Sequence, residues 1–136
     1  MNWESRHWTF DELAAEIPES NLPMELWDGK VIMSPAPSWL HQAIVARFYK
    51  LLDAAVEHRQ CGKTGIAPLD MILTPHRATQ PDFLFVANER LGIIKDRVEG
   101  AADLVAEVIS ADSRKRDRID KRDLYEKTRS ARILAD

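Results

Sequence analysis

Apolar and polar residues recur along the chain with two periods, and each period marks its own kind of element. Thr9 and Glu12 stand three apart at the head of an apolar-periodic stretch, a capping-box spacing that predicts a short helix over 10–17, ended by Pro18. Met24-Glu25-Leu26-Trp27 and Lys30-Val31-Ile32-Met33 flank Asp28-Gly29, the strongest local signal for a β-hairpin because both turn residues tolerate positive φ. Ser34-Pro35-Ala36-Pro37 cannot continue a ladder, so the chain leaves the sheet there. Ser38 can cap a long helix running to about 58, with Leu40, Ile44, Phe48, Leu51, Leu52 and Ala55 as one apolar stripe and Gly62 as its stop. Short apolar runs at 69–73, 82–86 and 104–109 read as strands. The last is apolar on both faces, as expected of a central strand covered on both sides. A charged helix is expected from 112 or 113 to about 128, anchored by Ile119, Leu124 and Tyr125, with a final strand at 131–134. The order αββαβββαβ predicts an α/β sandwich with a mixed sheet.

Composition narrows the class. The 136 residues, 45% hydrophobic and 30% charged, suit one domain over 1–136. No apolar run approaches the about 18 residues needed to cross a membrane, so no membrane partner is expected. The lone Cys61 cannot form an internal disulfide, and Trp3, Glu4 and Arg6 do not open a signal peptide. A soluble, cytoplasmic protein is the expectation. The net charge of −3 hides a gradient: residues 1–110 hold 10 basic against 16 acidic side chains, and 111–136 hold 9 against 6. The basic run 114–127 is either a phosphate-facing strip or a solvated helix face.

Glu107 carries the most chemical information. Flanked by Val105, Ala106, Val108 and Ile109, it must face the interior, where an unpaired charge costs several kcal/mol. It therefore has a metal ion, a cationic partner or a raised pKa. Asp82 opens an apolar strand directly after Pro81. If the two strands lie side by side, Asp82 and Glu107 converge at one end of the sheet, and two carboxylates without sulphur ligands suit Mg²⁺ or Mn²⁺. A turn carboxylate at Asp82 and a buried ion pair at Glu107 are the plainer readings. Phosphodiester hydrolysis also needs a cation near the reacting phosphate, and Lys115, Arg118 and Lys121 all lie on the following helix. His41, at the head of the long helix, could contact phosphate or substrate. His7, His58 and His76 have no metal-ligand spacing, and Gly62-Lys63-Thr64 lacks the earlier glycine of a phosphate loop. Trp3, Trp8, Trp27 and Trp39 read as core or interface mass.

Met24-Glu25-Leu26-Trp27-Asp28-Gly29-Lys30, Met33-Ser34-Pro35-Ala36-Pro37, His41-Gln42, Gln80-Pro81-Asp82, residues 103–110 and Lys121 with Tyr125 together resemble the Uma-type family of restriction-endonuclease-like proteins, over roughly 9–136. The resemblance implies the PD-(D/E)XK phosphodiesterase superfamily, with a mixed central sheet flanked by helices. It further implies Asp82 and Glu107 as metal-binding carboxylates and Lys121 as the catalytic lysine. Glu25 resembles an additional acidic residue, and Gln80 is placed near the metal. Ile109 stands where the superfamily usually has its lysine. The resemblance implies a further C-terminal hairpin that is not expected after 133–136: either the hairpin is dispensable, or the sheet edge is exposed and a homodimer or other partner covers it, or the chain is a truncated, inactive relative.

The expected function is metal-dependent endonuclease cleavage of DNA, with Mg²⁺ or Mn²⁺ on Asp82 and Glu107, Lys121 beside them, and Arg114 and Arg118 holding the phosphate backbone. The alternative is a catalytically inactive interaction module of the same fold that oligomerises or binds a partner protein. Hydrolysis of a small phosphate ester would use the same residues.

Overall fold

The computed structural model describes residues 6–16, 23–109 and 131–135, the last segment by its backbone alone. The expected charged helix, with Arg114, Lys115, Arg118 and Lys121, lies outside the described residues. The order is α1 (Phe10–Glu16), β1 (Met24–Trp27), β2 (Lys30–Met33), α2 (Trp39–Arg59), β3 (Gly62–Ile66), β4 (Met71–Thr74) and β5 (Arg77–Thr79). Then follow β6 (Phe83–Ala87), a 3₁₀ turn (Asn88–Ile93), β7 (Val98–Glu99), β8 (Leu104–Val108) and β9 (Ala131–Ala135).

Local signals set the first elements. Thr9 and Glu12 form the reciprocal capping box: Glu12 N–H donates to Thr9 Oγ1 at 3.2 Å and Thr9 N–H to Glu12 Oε1 at 3.1 Å. Arg6 pairs with the same carboxyl, and together they hold its pKa down at about 2. Asp28 and Gly29 take φ of 50° and 78° in the tight turn between β1 and β2, whose register runs Met24 opposite Met33 to Trp27 opposite Lys30.

The expected single sheet is two. One has the order β2-β1-β5-β4-β7 and the other β3-β6-β8-β9. Both are mixed, through the parallel pairs β4–β7 and β8–β9. The division follows from strand pairing: Gln80, Pro81 and Asp82 carry the chain from the last residue of β5 in one sheet to the first of β6 in the other. Met71 and Val98 of the first sheet pack with Leu84, Val86 and Val105 of the second, so the main core lies between them. On the far side of the first sheet, Leu26 and Ala78 pack with Trp8, Phe10 and Leu13 around α1. The long helix α2 lies against the second sheet, with Phe48 edge-on to Phe83 at 5.6 Å between centroids and Asp53 accepting a hydrogen bond from Thr64.

Strand β8 sits between β6 and β9, the central place expected for it. The stripe on α2 is a correction. No α2 residue is fully buried, and Leu40 and Leu51 are about two-thirds exposed. The face turned to the sheet runs through Ile44, Val45, Phe48, Tyr49, Leu52 and Val56. Trp8 is fully buried, but Trp39 is 90% exposed and belongs to no part of the core. Strands β3, β5 and β7 were not expected. In β3 the close approach of β6 requires glycine: a Cβ at Gly62 would stand 2.2 Å from the Val86 carbonyl oxygen.

Candidate active site

In the antiparallel pair β6–β8, Phe83 lies opposite Ala106, Leu84 opposite Val105 and Phe85 opposite Leu104. One further step of that register sets Asp82 opposite Glu107, and directly opposite residues place their side chains on the same face of a sheet. That face is the one carrying Leu84, Val86 and Val105, which points between the two sheets. Asp82 is tied to the neighbouring strand as well, since Val108 N–H donates to its Oδ2 at 2.8 Å. Glu107 is 6% exposed and interacts with other groups of the chain.

The first sheet contributes from the opposite wall. On β1, Leu26 faces α1, so Glu25 and Trp27 face the second sheet, and Trp27 packs on the central core. The Glu25 carboxylate receives two N–H groups, Gln80 N–H on Oε2 at 2.7 Å and Trp27 Nε1–H on Oε1 at 3.2 Å. Gln80 answers with its side chain: Oε1 accepts from Met24 N–H at 3.3 Å and Nε2 donates to Asp70 Oδ1 at 3.1 Å. Glu25 and Gln80 thus brace each other two residues before Asp82. Pro81, fully buried between them, removes a donor and restricts the approach.

Asp70 escaped the sequence reading. It was taken as part of a strand and lies just before β4, where burial raises its pKa; Gln80 and Arg97 oppose that rise, and Glu25 adds to it. Its role depends on a side chain ten residues away, which no local pattern reports.

The α2 N-terminus completes the surroundings. Ser38 Oγ accepts from His41 N–H at 3.1 Å, as the predicted cap requires. One turn into the helix, His41 Nε2 lies 3.2 Å from Asp82 Oδ2, with both side chains about 15% exposed. His41 Nδ1 is 3.0 Å from the Gln42 side-chain oxygen.

The structure therefore brings His41 to Asp82 and Glu25 to Gln80 at the two ends of the 80–82 crossing, with Glu107 buried on the neighbouring strand β8. Among the described residues, no group of three His, Cys, Asp or Glu side chains forms a metal cage. The pair Asp82–Glu107 fits Mg²⁺ or Mn²⁺ without one, because Mg²⁺ commonly takes one or two carboxylates and keeps several waters. Both described contacts of Asp82 fall on Oδ2, and Oδ1 retains ligating capacity.

Two mixed sheets with flanking helices make a mixed α/β fold of the nuclease-like kind. Residues 9–133 match the model of the Uma2 family, described as "Putative restriction endonuclease", and the chain belongs to that family. Its fold is similar to the crystal structure of a nuclease from Anabaena variabilis ATCC 29413, described as putative and belonging to DUF820. The TM-score is 0.75 at 21% identity, over 93% of this chain and 72% of that one. No curated protein sequence matches the chain. Among the described residues, no helix is long and apolar enough to cross a membrane.

Proposed function

We propose that the chain is a divalent-metal-dependent phosphodiesterase that cleaves DNA, with Asp82 and Glu107 as the metal-binding carboxylates. The observation that supports this reading is the hydrogen bond from Val108 N–H to Asp82 Oδ2, which holds the Asp82 carboxylate against β8 at the residue next to Glu107. When bound, Mg²⁺ or Mn²⁺ supplies Lewis-acid polarisation of a phosphoryl oxygen and makes water more acidic. The rest falls to the chain itself. Asp82 and Glu107 supply the hard oxygens, and the walls of the two sheets keep bulk water from the Glu107 side. Lys121 neutralises charge that develops on the reacting phosphate, and Arg114 and Arg118 hold the nucleic-acid backbone; these three roles rest on the sequence.

The competing reading, a non-catalytic module, draws on Ile109. It is 8% exposed, an apolar core residue where the superfamily usually has its lysine. The experiment that decides is cleavage of supercoiled, linear and single-stranded DNA with Mg²⁺, with Mn²⁺ and with EDTA. Glu107→Ala and Asp82→Asn, prepared identically, run beside the parent. Metal-dependent cleavage by the parent, lowered at least about a hundredfold in both variants, supports the enzyme. Equal cleavage in parent and variants, or none from a folded parent, overturns it.

A further inference from the structure

We propose that His41 is a positioning residue of this site, which holds the Asp82 carboxylate so that Oδ1 is the oxygen presented to the metal ion. The inference rests on the metal-site reading of Asp82 and Glu107. A carboxylate that ligates through one oxygen needs its second oxygen held, or it rotates among several geometries and binds more weakly. At Asp82 the second oxygen is held from two directions. Val108 N–H approaches Oδ2 from β8 at 2.8 Å, and His41 Nε2 approaches the same atom from α2 at 3.2 Å.

The histidine is itself fixed. Ser38 caps its backbone N–H, which sets the first turn of α2, and Gln42 engages Nδ1, which sets the ring. For Nε2 to carry the proton facing Oδ2, a neutral ring accepts at Nδ1 from the Gln42 amide nitrogen, whereas a ring that donates from Nδ1 to the Gln42 oxygen has a proton to share with Asp82 only in its cationic form; the direction of the Gln42 amide is a choice the heavy atoms leave open. The 21-residue helix that carries the ring packs on the second sheet through Phe48 and Tyr49 against Phe83, the residue after Asp82. Ring and carboxylate are therefore mounted on one packed unit rather than on separate loops.

The test is Mn²⁺ affinity of the full chain by calorimetry, without substrate, for the parent, His41→Ala and His41→Gln. The glutamine Nε2–H reaches about as far as the imidazole Nε2–H. The expected result is affinity lowered about tenfold or more in His41→Ala and largely restored in His41→Gln. Unchanged affinity in His41→Ala overturns the proposal, and so does tighter binding, which would make His41 a competitor for the carboxylate. If His41→Ala fails to fold, His41→Phe, which keeps a ring but has no donor, takes its place: lowered affinity supports the proposal, and unchanged or tighter binding overturns it. A parent chain that binds no Mn²⁺ overturns the metal site and this inference together, whereas a binding parent with an indifferent His41→Ala overturns this inference only.

Discussion

At Asp82 three parts of the chain meet: the Gln80-Pro81 crossing, the Val108 amide of β8 and the His41 ring of α2. Its neighbourhood on β6 and β8 was legible in the sequence, because a carboxylate amid Val105, Ala106, Val108 and Ile109 announces its own burial, and Pro81 announces a constrained strand entry. Its partners were not, since His41 lies 41 residues upstream and reaches Asp82 only after α2 has packed. Asp70 shows the same limit. Burial raises its pKa, so between the ordinary carboxyl value of 3.8 and that raised value the folded chain holds a proton the unfolded chain has released. Stability therefore falls as pH rises through that window, and the loss persists above it. Asp70→Asn keeps an acceptor for Gln80 and removes the buried charge. It is expected to raise the unfolding temperature at pH 7 relative to the parent, with the gain disappearing below pH 3.8. A thermal-melt series across pH checks this, and a lower unfolding temperature for the variant at pH 7 would contradict it.

Among the elements, those with a local cause were legible: α1 from its capping box, the hairpin from Asp28-Gly29, the start of α2 from Ser38. Strand β3 was not, because Gly62-Lys63-Thr64-Gly65-Ile66 has neither apolar alternation nor β-branched density, and exists through its ladder with β6. Strands β5 and β7, of three and two residues, are too short to carry a period. The error on α2 has a physical source as well. A helix resting on one sheet buries only a narrow band, and Leu40 and Leu51 satisfy the helical spacing while lying on its exposed side. Phe48→Ala should therefore cost about 2 kcal/mol, below the range for a fully enclosed ring. Leu51→Ala should stay within about 0.5 kcal/mol. Urea denaturation of both variants measures the difference, and equal losses would place the packed face elsewhere.

For the whole molecule, two sheets enclose one core, and the acidic residues gather where the chain crosses between them. Glu25 and Gln80 stand on the first sheet's side of that crossing, and Asp82 and Glu107 on the second. This arrangement explains why a hairpin residue near the start of the chain comes to lie against the crossing that leads into Asp82. Glu25 braces the Gln80 amide, and that brace leads into Asp82. The fold class and the convergence of Asp82 with Glu107 follow from the strand pattern once the two strands are neighbours. The division into two sheets depended on pairings that no short stretch encodes.

The measurement that bears most directly on the site is Mn²⁺ anomalous diffraction from crystals of the protein soaked in Mn²⁺. The account predicts one strong peak within bonding distance of Asp82 Oδ1 and the Glu107 carboxylate, lost in Glu107→Ala crystals. A structure without a peak there, or with Mn²⁺ bound only at other carboxylates, would contradict it.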